Sequence, residues 1–356
     1  MTNKIIPPSR SGGQLAAGGT SGGPPGPPGT VRLAEIEFTD LIMSANGVCL
    51  MRGVDTPEGG PLVNINDAYI EDINDLRLVC INKGQRENEF FVDHDGVRYR
   101  VSVINDLDGT WYALRKSKTV IPPINSLGFP RPVVTHLAKL ASRKGLIILA
   151  GATGQGKTTT AYSILNAYLH SFGNIAVTIE DPPEMMLNGP RGKFGHCFQL
   201  KLDTDESFGE ALERSMRYTP KYILMGEIRR AHDASQALRA AISGHLVLTT
   251  IHAGNVIEAI NSLLTLTARA DDNVGFAREQ LANGLAGVIH QTLLTQRDPR
   301  TGKSRKALKT EMLFVGDDPG IRSMIREGDT NQLVTYIAQQ KSKIDQDKEP
   351  VELSKN

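Results

Sequence analysis

The stretch Gly151-Ala152-Thr153-Gly154-Gln155-Gly156-Lys157-Thr158 constrains this chain more than any other. It satisfies the phosphate-loop pattern GxxxxGK[ST] at every fixed position. Before it runs Leu146-Ile147-Ile148-Leu149-Ala150, a short apolar run that reads as a buried strand. After it, Ala161, Ile164, Leu165 and Tyr168 recur at helical spacing. The loop therefore joins a strand to a helix, where backbone N–H groups close around a polyphosphate and the helix N-terminus faces its charge. In this arrangement Lys157 reaches the terminal phosphates and the Thr158 hydroxyl holds Mg²⁺, with Thr159 beside it in the first helical turn.

The flanks of that unit divide the chain. Residues 1–30 are rich in Gly, Pro and Ser, have little to bury, and read as a disordered leader. Residues 31–120 have the composition of a folded α+β domain. Phe90-Phe91-Val92 and Val97–Ile104 are strand-like, Asp95-Gly96 between them is a hairpin signal, and Asp108-Gly109 is a second turn signal before Trp111. Arg98, Arg100 and Arg115 in this region are either phosphate contacts or the solvated face of strands. Four prolines within residues 121–132 argue against a regular element and mark an interdomain linker. A helix is predicted from about Val133 to Ser142.

Beyond the phosphate loop, apolar runs alternate with helical patterns. The runs are 175–179, 222–225 and 246–251. The helical patterns are 208–217 and then Ala234, Ala237, Leu238 and Ala241 ahead of Gly244. Such alternation implies a mostly parallel sheet with helices on both faces. Past Ile251 the pattern turns helical, with Val256, Ile257, Ile260, Leu263 and Leu264 on one face and Leu281, Leu285, Val288 and Ile289 on another. A hairpin-like segment near 298–303 precedes Glu311–Val315. Residues 318–356 read as short helices with a frayed, charged end.

Ligands of open parallel sheets bind outside the carboxyl ends of the strands. Here the four predicted strands are followed by the phosphate loop, by Glu180-Asp181-Pro182-Pro183-Glu184, by Glu227-Ile228-Arg229-Arg230, and by His252. Four such groups on one edge point to catalysis rather than binding alone. Hydrolysis of a γ-phosphate needs an in-line water and charge neutralisation. Glu227 has the placement of an acid that orients Mg²⁺ or polarises the water. Glu184 suits a general base or a water-positioning group, with Glu180 and Asp181 as alternatives. His252 suits a γ-phosphate sensor, and His245 a structural role at the strand entry. Gly226, where an Asp is usual, is atypical.

Together GATGQGKT, TIEDPPE (178–184), ILMGEIR (223–229) and GHLVLTTIH (244–252) resemble the secretion ATPases of type II and type IV systems, over about residues 96–327. The resemblance implies a RecA-like P-loop core with helices on both sides of its sheet, over 133–317, preceded by a small α+β, PAS-like domain. It implies ATP and Mg²⁺ as ligands, Glu184 and Glu227 as catalytic acids, and a ring-shaped homo-hexamer. In such a ring Arg100 and Arg115 of one subunit reach a neighbour's site. It further implies a cytoplasmic enzyme, peripheral at the inner membrane through protein partners of a secretion, conjugation or pilus machine. The chain departs from the pattern at Pro183 and Arg230. Its three dispersed cysteines cannot form the four-cysteine zinc module of the extension ATPases, which favours the retraction, conjugation and type IVB export branches.

The bulk properties fit that expectation. Net charge is +1 over 356 residues and aromatics are few, so direct nucleic-acid contact is not expected, although a RecA-like nucleic-acid translocase is the alternative. No apolar run reaches the ~18 residues of a membrane span.

Overall fold

The computed structural model describes residues 32–54, 61–64, 70–117, 120–200, 202, 206–297 and 304–353. The leader at 1–30, the hairpin-like segment at 298–303 and the last three residues lie outside the described residues. The chain divides into two compact units, residues 1–119 and 120–356.

In the first unit, β1 (Asp40–Ser44), β2 (Cys49–Arg52) and β3 (Val63–Asn64) precede α1 (Ile70–Gly84). β4 (Glu89–His94), β5 (Val97–Asn105) and β6 (Thr110–Lys116) follow. The six strands form one antiparallel sheet in the order β3-β2-β1-β6-β5-β4. Asp95 and Gly96 take φ of +51° and +73°, and His94 pairs Val97 across them. That is the left-handed two-residue turn whose twist suits a hairpin. Alternation buries one face. Leu41, Met43, Tyr99, Val101, Tyr112 and Leu114 pack on Ile73, Leu76 and Cys80 of α1.

In the second unit, α2 (Arg131–Leu140) leads into β7 (Gly145–Ala150), the phosphate loop and α3 (Lys157–Phe172). Then come β8 (Asn174–Ile179), β9 (Gly189–Arg191), β10 (Gly195–Leu200), α4 (Phe208–Ser215), β11 (Tyr222–Glu227), α5 (Ala231–Ile242) and β12 (Leu246–Ile251). The chain continues through α6 (Val256–Asp271), α7 (Val274–Gly284), β13 (Leu285–Arg297), β14 (Ser304–Phe314), α8 (Pro319–Glu327) and α9 (Leu333–Asp345). The sheet order is β14-β13-β7-β12-β11-β8-β10-β9. The six inner strands are parallel, and β14 and β9 pair antiparallel at the two edges.

β7 and β12 are buried along their whole length. Ile147 and Leu149 face Ala161, Ile164 and Leu165 of α3. Leu146 and Ile148 face Ala237 and Leu238 of α5 and Ile260 of α6. Each fully buried Leu or Ile contributes roughly 1.5–3 kcal/mol, so the strand carrying the phosphate loop is anchored from both sides. Burial also pushes the three thiols, Cys49, Cys80 and Cys197, up to about 12.

The structure corrects three expectations. Leu285, Val288 and Ile289 lie on strand β13, not on the helix of Leu281. Residues 285–289 of β13 are buried, with β7 and β14 on either side, so this apolar run has no polar face to reveal its period, and such a run fits helix or strand equally. The proline-rich stretch is not free of regular structure. Pro123 leads into a 3₁₀ turn at Ile124–Ser126, and Pro132 sits in the first turn of α2, where its missing N–H costs nothing. The described end of the tail is packed rather than frayed: Val351 is buried, and Glu349 pairs with Lys139 of α2.

Candidate nucleotide site

The phosphate loop is held open by backbone geometry and by one neighbouring strand. Gly154 and Gly156 have φ of +76° and +80°, which a side chain would strain. Gly151 is a glycine for another reason: a Cβ there would stand 2.5 Å from the Gln291 carbonyl oxygen on β13. The same strand grips the loop tip. Gln291 Nε2 donates to the Gln155 carbonyl at 2.6 Å, and Leu293 N donates to Gln155 Oε1 at 2.5 Å. Ala152, Thr153 and Gly154 remain exposed.

Lys157 begins α3 and is 7% exposed. Its Nζ donates to the carbonyls of Gly151 at 2.8 Å and Ala152 at 3.0 Å, so the ammonium is folded back into the loop. Burial lowers its pKa, while the charges of Glu227 and Glu184 raise it. Both acids therefore act on the same cation. Thr158 and Thr159 follow, half-buried, in the first helical turn. The amides of that turn have no acceptor within the helix.

The acids at the strand ends separate by environment. Glu180, directly after β8, is buried and accepts a 2.5 Å hydrogen bond from Tyr162 of α3. Burial pushes it up to about 8 against that hydrogen bond, and the Glu184 charge adds to the rise. Asp181 and Glu184 are exposed. Glu227 ends β11. Its Oε2 accepts from Arg229 at 2.8 Å, and its Oε1 lies 3.2 Å from His252 Nε2. Burial alone would raise Glu227, but Arg229, His252 and Lys157 outweigh it and hold the carboxyl below its ordinary value.

Gly226 lies beside Glu180: a Cβ there would sit at an ordinary contact distance of 3.5 Å from the Glu180 side chain, so an Asp would fit and would bring a second carboxylate near a buried carboxyl. Its carbonyl accepts from Thr249 Oγ1 at 2.8 Å, which ties β11 to β12 beside the site.

His252 follows β12 and is half exposed over Glu227. His245 Nδ1 meets the Pro220 carbonyl at 2.5 Å at the entry to the same strand, a structural contact as expected. A cleft of about 990 Å³ opens beside these groups, lined by Glu227, Arg229, His252, Asn255, Glu258 and Glu311. Glu311 of β14 accepts from the Val256 amide at the start of α6 at 2.9 Å.

In the N-terminal unit, Arg100 and Arg115 face each other across β5 and β6. Arg115 Nε donates to Asp40 Oδ1 at 2.7 Å, and Arg100 Nε lies 3.4 Å from Glu89 Oε2. Arg98 is joined by two 2.6 Å hydrogen bonds to Asp93. Sequence reasoning missed Arg229 as a partner of Glu227, Tyr162 as the anchor of Glu180, and Gln291 as the brace of the loop. Arg229 was in view, two residues beyond Glu227. Nothing in the sequence marked Gln291 once its strand was read as helix.

The comparisons decide the family. The type II/IV secretion system protein model matches residues 87–344.

The chain belongs to that family.

The enzyme class that goes with this family and this site is a P-loop ATP hydrolase. An uncharacterised protein of Escherichia coli, YggR, is 33% identical over 292 residues, covering 80% of this chain and 81% of its own. The type IV pilus ATPase PilU of Pseudomonas aeruginosa is 32% identical over 273 residues, covering 74% and 68%. A crystal structure of the pilus retraction motor PilT with bound ADP superposes with a TM-score of 0.68 at 27% identity, covering 85% of this chain and 86% of that one. The strand order in the second unit, with β12 between β7 and β11, is RecA-like and agrees with that superposition. Among the described residues no helix is long and apolar enough to cross a membrane.

Proposed function

We propose that this chain is a Mg²⁺-dependent ATPase subunit of a ring, a homo-hexamer, whose turnover drives a membrane-embedded secretion, conjugation or pilus machine from the cytoplasmic side of the inner membrane. The observation that carries the reading is the placement of the phosphate loop, Glu180–Glu184, Glu227 and His252 after the carboxyl ends of four neighbouring parallel strands, with the charges of Glu227 and Glu184 both acting on Lys157. Binding alone requires the loop and lysine. Two acids on the same cation supply what hydrolysis adds.

The residues fit the ligands. The first-turn amides and Lys157 suit a triphosphate, and the Lys157 ammonium needs only to leave two loop carbonyls to reach it. Thr158 and Glu227 offer the hard oxygen donors that Mg²⁺ takes. When bound, the ion neutralises charge on the β- and γ-phosphates.

Glu227, held ionised by Arg229 and His252, orients the ion's water shell or the attacking water. Glu184, exposed at the rim, receives the proton of that water. Glu180 carries its own proton near neutrality and is the weaker candidate for a base. His252 reports the γ-phosphate through the Glu227 contact. Arg100 and Arg115 act on a neighbouring subunit's site, and movement of the N-terminal unit about residues 121–132 transmits the stroke. Contacts with the membrane machine run through protein partners. The names of PilU and PilT support a pilus-type machine.

The test is steady-state ATPase activity together with native mass, for the wild type and Glu227→Gln. A wild type that stays monomeric and hydrolyses ATP no faster than the variant contradicts the motor reading.

A further inference from the structure

A second cluster of ligating side chains lies in the N-terminal unit, on residues that the nucleotide chemistry does not use. Asp72 stands in the first turns of α1, His94 ends β4, and Asp95 occupies the hairpin turn. One donor atom from each lies within 4.8 Å of the others. Two ligands each about 2.1 Å from a shared ion stand about 3–4.2 Å apart. His94 Nε2 and Asp95 Oδ2, at 4.0 Å, are already in that range, and the remaining closure is a rotamer adjustment.

Two further observations bear on the cluster. His94 Nε2 is buried and has no hydrogen-bond partner. The hydroxyl of Tyr99 is likewise buried and unpartnered, on a residue with no exposed surface. Burial and the charges of Asp95 and Asp72 together raise the Tyr99 pKa, so the hydroxyl stands in the field of both carboxylates. Buried polar atoms without partners are rare and costly, by about 1–3 kcal/mol each. The other contacts leave ligand capacity: Leu33 N donates to Asp72 Oδ2 at 3.0 Å, and Arg32 donates to Asp95 Oδ1 at 2.9 Å, leaving Asp95 Oδ2 toward His94.

We propose that Asp72, His94 and Asp95 form a binding site for a divalent transition-metal ion. One imidazole with two carboxylates suits zinc or a neighbouring first-row ion better than Mg²⁺, which prefers oxygen ligands alone. Such an ion ties the start of α1 to the β4–β5 turn and steadies the edge of the sheet that carries Arg100.

The experiment uses the full chain, stripped with a chelator and free of nucleotide. Zn²⁺ is titrated in equilibrium dialysis, with metal content and melting temperature as readouts. The expected result is one tightly held Zn²⁺ per chain and a raised melting temperature. His94→Ala and Asp95→Asn should each weaken binding by at least about tenfold and abolish the thermal shift. Asn tolerates the positive φ of the turn, so Asp95→Asn keeps the hairpin if His94→Ala fails to fold. Glu227→Gln should bind Zn²⁺ as the wild type does. A wild type that binds no Zn²⁺, an Asp95→Asn variant that binds it equally well, or a site lost in Glu227→Gln overturns the proposal.

Discussion

In the C-terminal sheet, β7 and β12 are buried from end to end. In the N-terminal sheet, β5 and β6 bury alternate residues, and the other face carries the row Arg52, Asp40, Arg115 and Arg100, one residue from each of four neighbouring strands. The first arrangement leaves chemistry only at the strand ends, where the chain emerges from the core. The second spreads charge across a face. Among the described residues that face already neutralises part of itself, because Asp40 accepts from both Arg52 and Arg115. Glu227 is paired within its own unit, to Arg229 and His252. Arg52 and Arg115 share the Asp40 carboxylate, and Arg100 lies against Glu89.

The widest separation between the two regions is catalytic. Glu227→Gln should lower ATPase activity by about 10²–10³-fold with unchanged circular dichroism. Arg115→Ala should lower it by on the order of 10³-fold while leaving nucleotide affinity nearly intact, if the arginine serves a transition state. Mixing the two inactive proteins should restore part of the rate, because a hybrid ring pairs an intact acid with an intact arginine at some boundaries. A mixture no more active than its components would remove the division of labour between the two sheets.

Packing gives the next contrast. Ile148→Ala, in the doubly covered strand, should cost about 3 kcal/mol in urea titration. Ile104→Ala, on the open face of β5 and nearly half exposed, should stay within about 0.5 kcal/mol. Similar costs at both positions would mean that the open face is covered in solution.

Asp40 tests the arginine row itself. Its carboxyl is buried, which raises its pKa, yet hydrogen bonds and charges from Arg115 and Arg52 pull it below the ordinary value. A depressed folded pKa gives stability above the unfolded value of 3.8, and that stability is lost as pH falls through the folded one. Asp40→Asn should therefore cost about 1–2 kcal/mol at pH 7, with both arginines half in solvent, and almost nothing at the acid end of that titration.

Glu180 tests the other unit, and its sign is opposite. Its folded value of about 8 lies above the ordinary 4.5, so the fold loses stability as pH rises between the two. Glu180→Gln keeps an oxygen for Tyr162. It should raise the melting temperature at pH 8 relative to wild type and change it little at pH 4. Its ATPase rate should fall less than that of Glu184→Gln. The reverse order would make Glu180 the base.

Much of this was legible before the structure. The phosphate loop, the acids at 184 and 227 and the histidine at 252 each follow an apolar run, and strand ends of a parallel sheet share an edge by topology. The Asp95-Gly96 turn was equally plain, because a two-residue hairpin turn admits few residue types. Other parts were silent. The first five residues of β13 form a buried apolar run with no polar face, so they matched a helix as well as a strand. Gln291 braces the loop tip from β13, beyond any local pattern. Glu180 and Glu184 look alike in sequence; only burial against Tyr162 makes one a proton-bearing anchor and leaves the other exposed.

The sequence alone determined that a triphosphate-binding loop sits between a buried strand and a helix, with acids waiting at the next strand ends. That is local chemistry, written in glycine spacing and apolar runs. Tertiary structure decided which acid is buried and which exposed, which glycine is crowded by a neighbouring strand, and where Asp72, His94 and Asp95 meet. Those outcomes depend on burial and on contacts between residues distant in the chain, and neither quantity is written in sequence spacing.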